Sequence, residues 1–341
     1  MKGKNRIPWL ISFLFLFLVS FSTFAYKVFV QPANSGKTSF LYIKSTSDLQ
    51  TGIDSLEKMK INNLRLFRIM AQVSNLSERK ISGRYKIQTG ESIFSIFKKV
   101  YNQRQEPVVL TFINVRFLPK LASLLSKKLE VDSAGFMFLM TNNKYLSQYN
   151  SDSLNSISIF IPNTYELYWN TSDSQIIAKM YNEYQKFWNE DRMQKAKNLN
   201  LSPKEVSIMA SIVQEETNYK EEMDLIAGVY LNRLQKGMLL QADPTARFAV
   251  GNFDIRRIGY SYLSIDSPYN TYKYKGLPPG PICMPNATTI DKVLDYKSHD
   301  YLFFCAKPDN TGQHAFAKTY KEHQKNAKAY HKYLDRRNIN I

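Results

Sequence analysis

Residues 207–219 read SIMASIVQEETNY. The apolar residues stand at 208, 209, 212 and 213, the spacing of a helix with one buried stripe. Continuing that stripe by four reaches Glu216, because 208, 212 and 216 share one helix face. Gln214 and Glu215 are rotated toward the polar side. An acid therefore stands where the pattern asks for an apolar side chain. A carboxylate held there loses water, its pKa rises, and the neutral acid is favoured near neutral pH. That is the protonation state a general acid requires. The plainer alternative is that the stripe ends at Val213 and Glu216 faces water. Two features weigh against it. The next helical pattern carries its own apolar face at Leu225, Ile226, Val229 and Leu231, so the layer continues past Glu216. The loops that follow collect uncharged hydrogen-bonding groups and a ring at Gln241, Thr245, Asn270, Thr271 and Tyr272. Such groups suit a hydroxyl- and amide-rich ligand such as an amino sugar.

Working outward from this helix, further helical patterns cover 174–189, 203–219 and 223–236, the last closed by Gly237 as a helix-ending glycine. Beyond it the chain reads as loop through Asp243-Pro244-Thr245, Ser267-Pro268-Tyr269-Asn270 and Gly276-Leu277-Pro278-Pro279-Gly280. YLFFCA at 301–306 reads as a buried strand and 318–337 as a closing helix. Upstream, 38–43 and 84–88 read as strands, and 48–60 and 62–73 as helices, with Leu64, Phe67, Ile69 and Met70 as buried positions. Thr89-Gly90-Glu91-Ser92 is a turn and a helix start, and Ile93, Ile96, Phe97 and Val100 form one helical face. A strand is expected over 107–115, a helix over 117–129, and a short apolar strand broken by Pro162 in IFIPNTYELYWN at 159–170. No internal repeat is visible.

Residues 7–26 carry no charge and are rich in Phe and Leu, about one bilayer core of helix. Lys2, Lys4 and Arg6 precede them, so the expected orientation keeps the N-terminus in the cytoplasm and puts the body outside. A cleaved signal peptide is the rival, with Thr23-Phe24-Ala25 as an imperfect processing site. The chain has 341 residues, enough for about two domains. It carries 46 Lys and Arg against 29 Asp and Glu, a net charge of +17. An exported chain meets no genome, so the expected polyanions are membrane headgroups or an anionic cell wall rather than nucleic acid. Two cysteines, Cys283 and Cys305, exclude a disulfide-dense scaffold; they read as buried thiols, with a disulfide between them as the open alternative outside the membrane. Four histidines leave little material for a metal centre, and no metal or cofactor is expected.

At this point the residues resemble the YceG-like endolytic murein transglycosylases of bacteria. The likeness is carried by Ala210-Ser211-Ile212-Val213-Gln214-Glu215-Glu216-Thr217, by Val229-Tyr230-Leu231-Asn232-Arg233-Leu234, and by Met238-Leu239-Leu240-Gln241-Ala242-Asp243-Pro244-Thr245. It continues in Ser267-Pro268-Tyr269-Asn270-Thr271-Tyr272, in Gly276-Leu277-Pro278-Pro279-Gly280-Pro281-Ile282 and in His314-Ala315-Phe316. Phe160-Ile161-Pro162-Asn163-Thr164-Tyr165 is similar to another family block, with Asn163 in place of the usual Asp. Gln214 stands where many members have a first Glu, and the family's catalytic acid aligns with Glu216. Residues 85–96 resemble the opening of a LysM fold.

The fold class expected is α+β: a single N-terminal transmembrane helix, a LysM-like α+β module, then a mixed helical and loop-rich catalytic domain with a short sheet. The expected boundaries are a cytoplasmic tail at 1–6, an anchor at 7–26, a linker at 27–37, the LysM-like module at 38–150 and the catalytic domain at 151–341. The resemblance implies cleavage of the β-1,4 bond between N-acetylmuramic acid and N-acetylglucosamine in nascent glycan strands, leaving 1,6-anhydro-muramyl ends. Glu216 would act as general acid and then base, with Gln241, Asp243, Thr245, Asn270, Thr271, Tyr272 and His314 as candidate substrate-binding residues. Asp243 could instead only cap its turn, and His314 could be structural. The implied setting is the bacterial cytoplasmic membrane, single-pass, with peptidoglycan as the partner and cell-wall synthases beside it. Two rival readings stay open: a non-catalytic membrane-anchored wall-binding scaffold, and a hydrolytic muramidase using Asp243 as a second carboxylate.

Overall fold

Side-chain caps open many of the helices. Asp48, Ser92, Asp132, Asn189, Ser202 and Thr319 each accept a backbone N–H of the first turn they precede. The computed structural model describes residues 7–113, 115–253, 259–309 and 311–336, so the expected tail at 1–6 lies outside the described residues. Two compact units divide the chain. One holds the residues up to Leu110 with Lys127–Val131 and Glu166–Ser172, and the other holds Thr111–Ser126, Asp132–Tyr165 and the residues from Asp173 on.

The first unit contains α1 (Ile7–Phe29), β1 (Ser39–Ile43), α2 (Leu49–Lys58), α3 (Leu64–Val73), β2 (Gly83–Ile87) and α4 (Ile93–Tyr101). The strands β1 and β2 pair antiparallel with Leu41 opposite Tyr85. Their alternate residues Leu41, Ile43, Tyr85 and Ile87 are buried against Ile53 and Leu56 of α2, Phe67 of α3, and Ile93 and Ile96 of α4. The face expected on α4 is thus found buried at all four positions, Ile93, Ile96, Phe97 and Val100. On α3 the expectation needs correcting at Ile69, which is 45% exposed. Phe67 and Ala71 carry the buried stripe, and Ile69 sits roughly 200° around the helix from Phe67. Apart from Val28, the large apolar residues of α1 from Trp9 on are exposed, Trp9 at 82%, which is not the pattern of a core helix. Among the described residues α1 supplies the single helix that is long and apolar enough to cross a membrane, over Trp9–Phe29.

The strand expected over 107–115 shortens to β3 (Val108–Thr111), and the helix after it is α5 (Leu118–Ser126). The chain continues through α6 (Ser133–Thr141), α7 (Asn143–Leu146), β4 (Thr164–Leu167), α8 (Asp173–Phe187), α9 (Glu190–Asn198), α10 (Pro203–Glu216) and α11 (Lys220–Gln235). It closes with α12 (Asp243–Val250), α13 (Tyr260–Leu263), α14 (Ala287–Leu294), β5 (Phe303–Ala306), β6 (His314–Ala317) and α15 (Tyr320–Asp335). The expected strand at 159–170 begins only at β4, after a short 3-10 turn over Ser156–Ile159.

The second unit is built around α10. Every residue from Val206 to Val213 is buried, so this helix is enclosed on all sides by its neighbours. Its core is shared with Ile226, Ala227 and Tyr230 of α11 and with Ile290 and Val293 of α14. The loop expected at Asp243-Pro244-Thr245 is the first turn of α12, a position where proline lacks only a hydrogen bond that no helix makes. The segment 301–306, expected to be buried, is half-buried. β5 pairs with β6 alone, Cys305 opposite Ala315, and its residues line a cavity. Both thiols are free, Cys283 buried and Cys305 only partly so.

Gly228 on α11 shows how tightly the segment leading into β5 is held. A Cβ there would lie 2.6 Å from His299 Nε2 and 2.9 Å from the Lys297 carbonyl oxygen. That close approach lets His299 Nε2 donate to Leu225 O at 2.9 Å, and Asn232 Nδ2 to His299 O and Tyr301 O at 2.7 and 3.0 Å. Gly228→Ala is expected to cost about 1–3 kcal/mol through overpacking, read as a lower melting temperature.

Candidate active site

The ladder of α10 ends at Glu216, where Thr217 turns extended with φ −144° and ψ 144°. Glu216 opens into a cavity of about 440 Å³. Tyr230, Arg233, Gln241, Asp243, Tyr272, His314, His323 and the β5 residues Phe303 and Phe304 line the same space. The stripe-breaking acid is therefore in a built cleft, at the seam between α11, α12 and the β5–β6 hairpin.

The Glu216 carboxyl is pushed up to about 7, chiefly by burial and secondly by the Asp243 charge. A hydrogen bond from Tyr230 Oη to Glu216 Oε2, at 3.2 Å, and the Arg247 charge offset only part of this. Burial beside Glu216 in turn drives the Tyr230 phenol far above its ordinary range, so it remains a donor. Asp243 accepts a hydrogen bond from Tyr272 Oη, and burial with that neighbouring carboxylate keeps the Tyr272 phenol protonated too. The site thus holds one carboxyl poised near neutrality and a second one fixed by a phenol.

His314 enters from β6 and is oriented by Glu222, a buried residue in the first turn of α11. Its backbone N–H donates to Glu222 Oε1 at 2.9 Å, and its Nδ1 lies 3.0 Å from Glu222 Oε2. The ring meets Phe304 edge-on at 5.2 Å. Gln241 is held in the left-handed region at φ 51°, and its Oε1 accepts from Arg233 Nη1 at 3.2 Å.

Of the residues singled out in the sequence, the fold brings Glu216, Gln241, Asp243, Tyr272 and His314 to one cavity. Thr245, Asn270 and Thr271 lie beneath it, buried, with no place on its lining. The Thr245 and Thr271 hydroxyls are 2.7 Å apart, and Thr271 Oγ1 accepts from the Ala242 N–H at 3.0 Å. Asn270 Nδ2 donates to Leu263 O and Ile265 O, both at 2.9 Å, while its Oδ1 accepts the Tyr272 N–H at 3.1 Å. Thr245 and Thr271 tie the Tyr272 loop to the start of α12, and Asn270 ties it to the end of α13.

Gln214 and Glu215, expected on a polar side, are only partly buried and meet polar partners. Gln214 Oε1 accepts from the Asn286 N–H at 2.7 Å, and Glu215 pairs with Arg116, whose guanidinium lies over Phe253. Both lie past the fully buried stretch Val206–Val213 and are partly exposed, so the polar side expected for them is filled by polar partners. Sequence reasoning singled out neither Tyr230 nor Arg233 nor His323 as a site residue. Arg233 had a legible signal, a cation inside an apolar helical pattern. His323 comes from α15, far along the chain, with a buried Nδ1 that has no partner and a ring stacked on Phe303 at 5.4 Å.

The YceG-like family model matches residues 41–329. The endolytic murein transglycosylase of Bacillus subtilis (strain 168) is 39% identical over 168 residues, 49% of this chain and 45% of the relative. The endolytic murein transglycosylase of Streptococcus pneumoniae (strain D39) is 27% identical over 325 residues, 86% of this chain and 58% of the relative. The chain thus spans about half the length of these curated relatives. A crystal structure of a yceG-like protein from Listeria monocytogenes superposes with a TM-score of 0.55 at 27% identity, covering 85% of this chain and 99% of that one. The matched span includes Glu216, every residue that lines its cleft and both strands of the hairpin behind it, and on that footing the chain belongs to the YceG-like family.

Proposed function

We propose that the protein is an endolytic peptidoglycan transglycosylase. It cuts the β-1,4 bond between N-acetylmuramic acid and N-acetylglucosamine within nascent strands and leaves a 1,6-anhydro-muramyl end. The observation that carries this reading is Glu216, a carboxyl near pKa 7 in a cleft of phenols, amides and aromatic rings. In the neutral form it gives its proton to the leaving glycosidic oxygen as the anomeric C–O bond breaks. As carboxylate it then takes the proton of the muramyl 6-hydroxyl while that oxygen bonds to the anomeric carbon. The proton count closes with Glu216 neutral again, and no water is consumed. A second carboxylate to activate water is therefore unnecessary, in contrast to two-carboxylate glycosidases. Asp243, held by Tyr272, raises the Glu216 pKa instead. Gln241, Tyr272 and His314 bind the sugar and its acetamido groups, while Thr245, Asn270 and Thr271 position them.

The remaining parts fit the same role. Residues 7–26 anchor the chain in the cytoplasmic membrane with the body outside, and 27–37 serve as linker. A LysM-like module within 38–150 holds the strand that 151–341 cuts, beside the synthases that extrude it. Mass spectrometry of uncrosslinked strands digested by the full chain tests the reaction. Anhydro-ended internal fragments are expected. Reducing ends would instead indicate a muramidase, and intact strands bound without cleavage would indicate a wall-binding scaffold.

The acid step sets a pH dependence. Above about pH 7 Glu216 enters the complex ionised, so kcat/KM is expected to fall about tenfold per further pH unit. Asp243→Asn removes the charge that raises this pKa, so the falling limb moves to lower pH. A limb that stays in place would disconnect Asp243 from Glu216.

A further inference from the structure

The second unit holds another cavity, of about 610 Å³, that shares no lining residue with the Glu216 cleft. One wall is a run of rings. Tyr181 and Tyr184 on α8 lie nearly parallel, 14° apart with centroids 6.1 Å apart. Tyr149 continues the run at 5.0 Å from Tyr181, and Trp188 at 6.2 Å from Tyr184. Positions 181, 184 and 188 share one helical face, and the Trp188 N–H still bonds Tyr184 O at 3.0 Å.

The wall residues also carry three buried polar atoms without a hydrogen-bond partner: Asn155 Oδ1, Ser158 Oγ and Trp188 Nε1. Their residues are only 7%, 5% and 6% exposed. Such atoms are rare in folded proteins and mark places where a further group belongs. Asn155 is fixed in its orientation, because its Nδ2 donates to Asp152 Oδ1 at 3.0 Å and to Pro279 O at 3.2 Å. The free set is therefore one acceptor, one donor and one hydroxyl that does either. Among the described residues no carboxylate lines the cavity, and the one cation on its lining, Lys204, is paired with Asp152 at 3.5 Å.

An uncharged ring with a secondary amide matches this inventory. The acetamido N–H has an acceptor in Asn155 Oδ1, and its C=O has donors in Trp188 Nε1 and Ser158 Oγ. The polarised axial C–H groups of a sugar favour the negative faces of tyrosine rings, and the volume lies in the range of ligand pockets. We infer that this cavity is a second saccharide site, binding an N-acetylated amino sugar of a β-1,4-linked strand away from the bond that Glu216 cuts. The inference rests on the reading of the Glu216 cleft as glycan-cutting. The three polar atoms are closed off from solvent, so uptake includes rotation of the half-buried Tyr181 and Tyr184. The site would keep hold of a long strand through a cut.

The test uses the full chain in detergent carrying Glu216→Gln, titrated calorimetrically with chitotetraose and with uncrosslinked strands, alone and combined with Tyr181→Ala or Ser158→Ala. Tyr181→Ala is expected to weaken strand binding about tenfold or more, and Ser158→Ala about threefold. With Glu216 restored, Tyr181→Ala should raise KM on long strands and leave kcat as it was. Ser158→Ala removes a hydroxyl oxygen that accepts nothing in the free protein, so it still reads the site if Tyr181→Ala fails to fold. Strand affinity and KM unchanged in both variants would overturn the inference. If the parent cuts no strand, the proposed activity fails, while saccharide binding lost with Tyr181→Ala still supports the cavity.

Discussion

Glu216→Gln is expected to lower turnover of uncrosslinked strands by about 10²–10⁴-fold, the range for loss of a positioned acid–base group. Glutamine keeps the shape of the side chain and still offers an oxygen to Tyr230 Oη, so strand binding should survive. The same substitution should not cost stability, and the sign follows from proton binding. The folded pKa of Glu216, about 7, lies above the ordinary carboxylate value of 4.5, so the folded chain holds this proton more tightly than the unfolded chain. Its contribution to stability is therefore fully present below about pH 4.5 and is lost as pH rises through about 7. Glutamine has no charge to bury. At pH 8 the variant should melt at the parent's temperature or above it. Loss of cleavage with an unchanged melt would assign the chemistry to Glu216. Unchanged cleavage would remove Glu216 from the mechanism whatever the melt shows.

Arg233→Met is expected to be the most destabilising of the substitutions considered, by about 3 kcal/mol. Arg233 is 7% exposed, and burial lowers its pKa without a carboxylate partner to offset the cost. It is kept because its guanidinium satisfies several carbonyls at once. Nε donates to Leu302 O at 2.6 Å, and Nη1 to Leu240 O at 2.9 Å and Leu239 O at 3.2 Å. Methionine fills similar volume but leaves these buried acceptors unpaired, at about 1–3 kcal/mol each before relaxation. Because the same side chain anchors Gln241 and lies 5.1 Å from the Phe303 ring centroid, turnover should fall as well, even well below the melting temperature. Lysine carries the charge but cannot span the fork, so Arg233→Lys should recover only part of both losses. Chemical denaturation gives the first quantity and strand turnover the second. A variant as stable as the parent would mean the carbonyls find other partners.

Much of the fold could be read locally. The β1 and β2 strands, the α4 face and the Gly237 close of α11 all follow from periods and capping chemistry that act over a few residues. The misreadings have separate causes. Ile69 was placed by apolar character, and its angle around α3 exposes it. Asp243-Pro244-Thr245 has the composition of a loop, yet a helix tolerates proline in its first turn.

By itself the sequence determined that an acid interrupts a buried stripe at Glu216, because helical periodicity is a property of neighbouring residues. It also determined the apolar helix at the N-terminus, since length and hydropathy are local sums. Only the tertiary structure decided what surrounds that acid. Tyr230 and Arg233 of α11, Asp243 of α12, His314 of β6 and His323 of α15 reach the cleft from four elements, and side-chain burial, pKa and hydrogen bonding depend on that meeting. The same holds for Thr245, Asn270 and Thr271, whose polarity suggested ligand contact while packing turned them inward. The ring-lined cavity along α8 is likewise a product of packing, because Asn155 and Ser158 lie beside Trp188 only once the chain has folded.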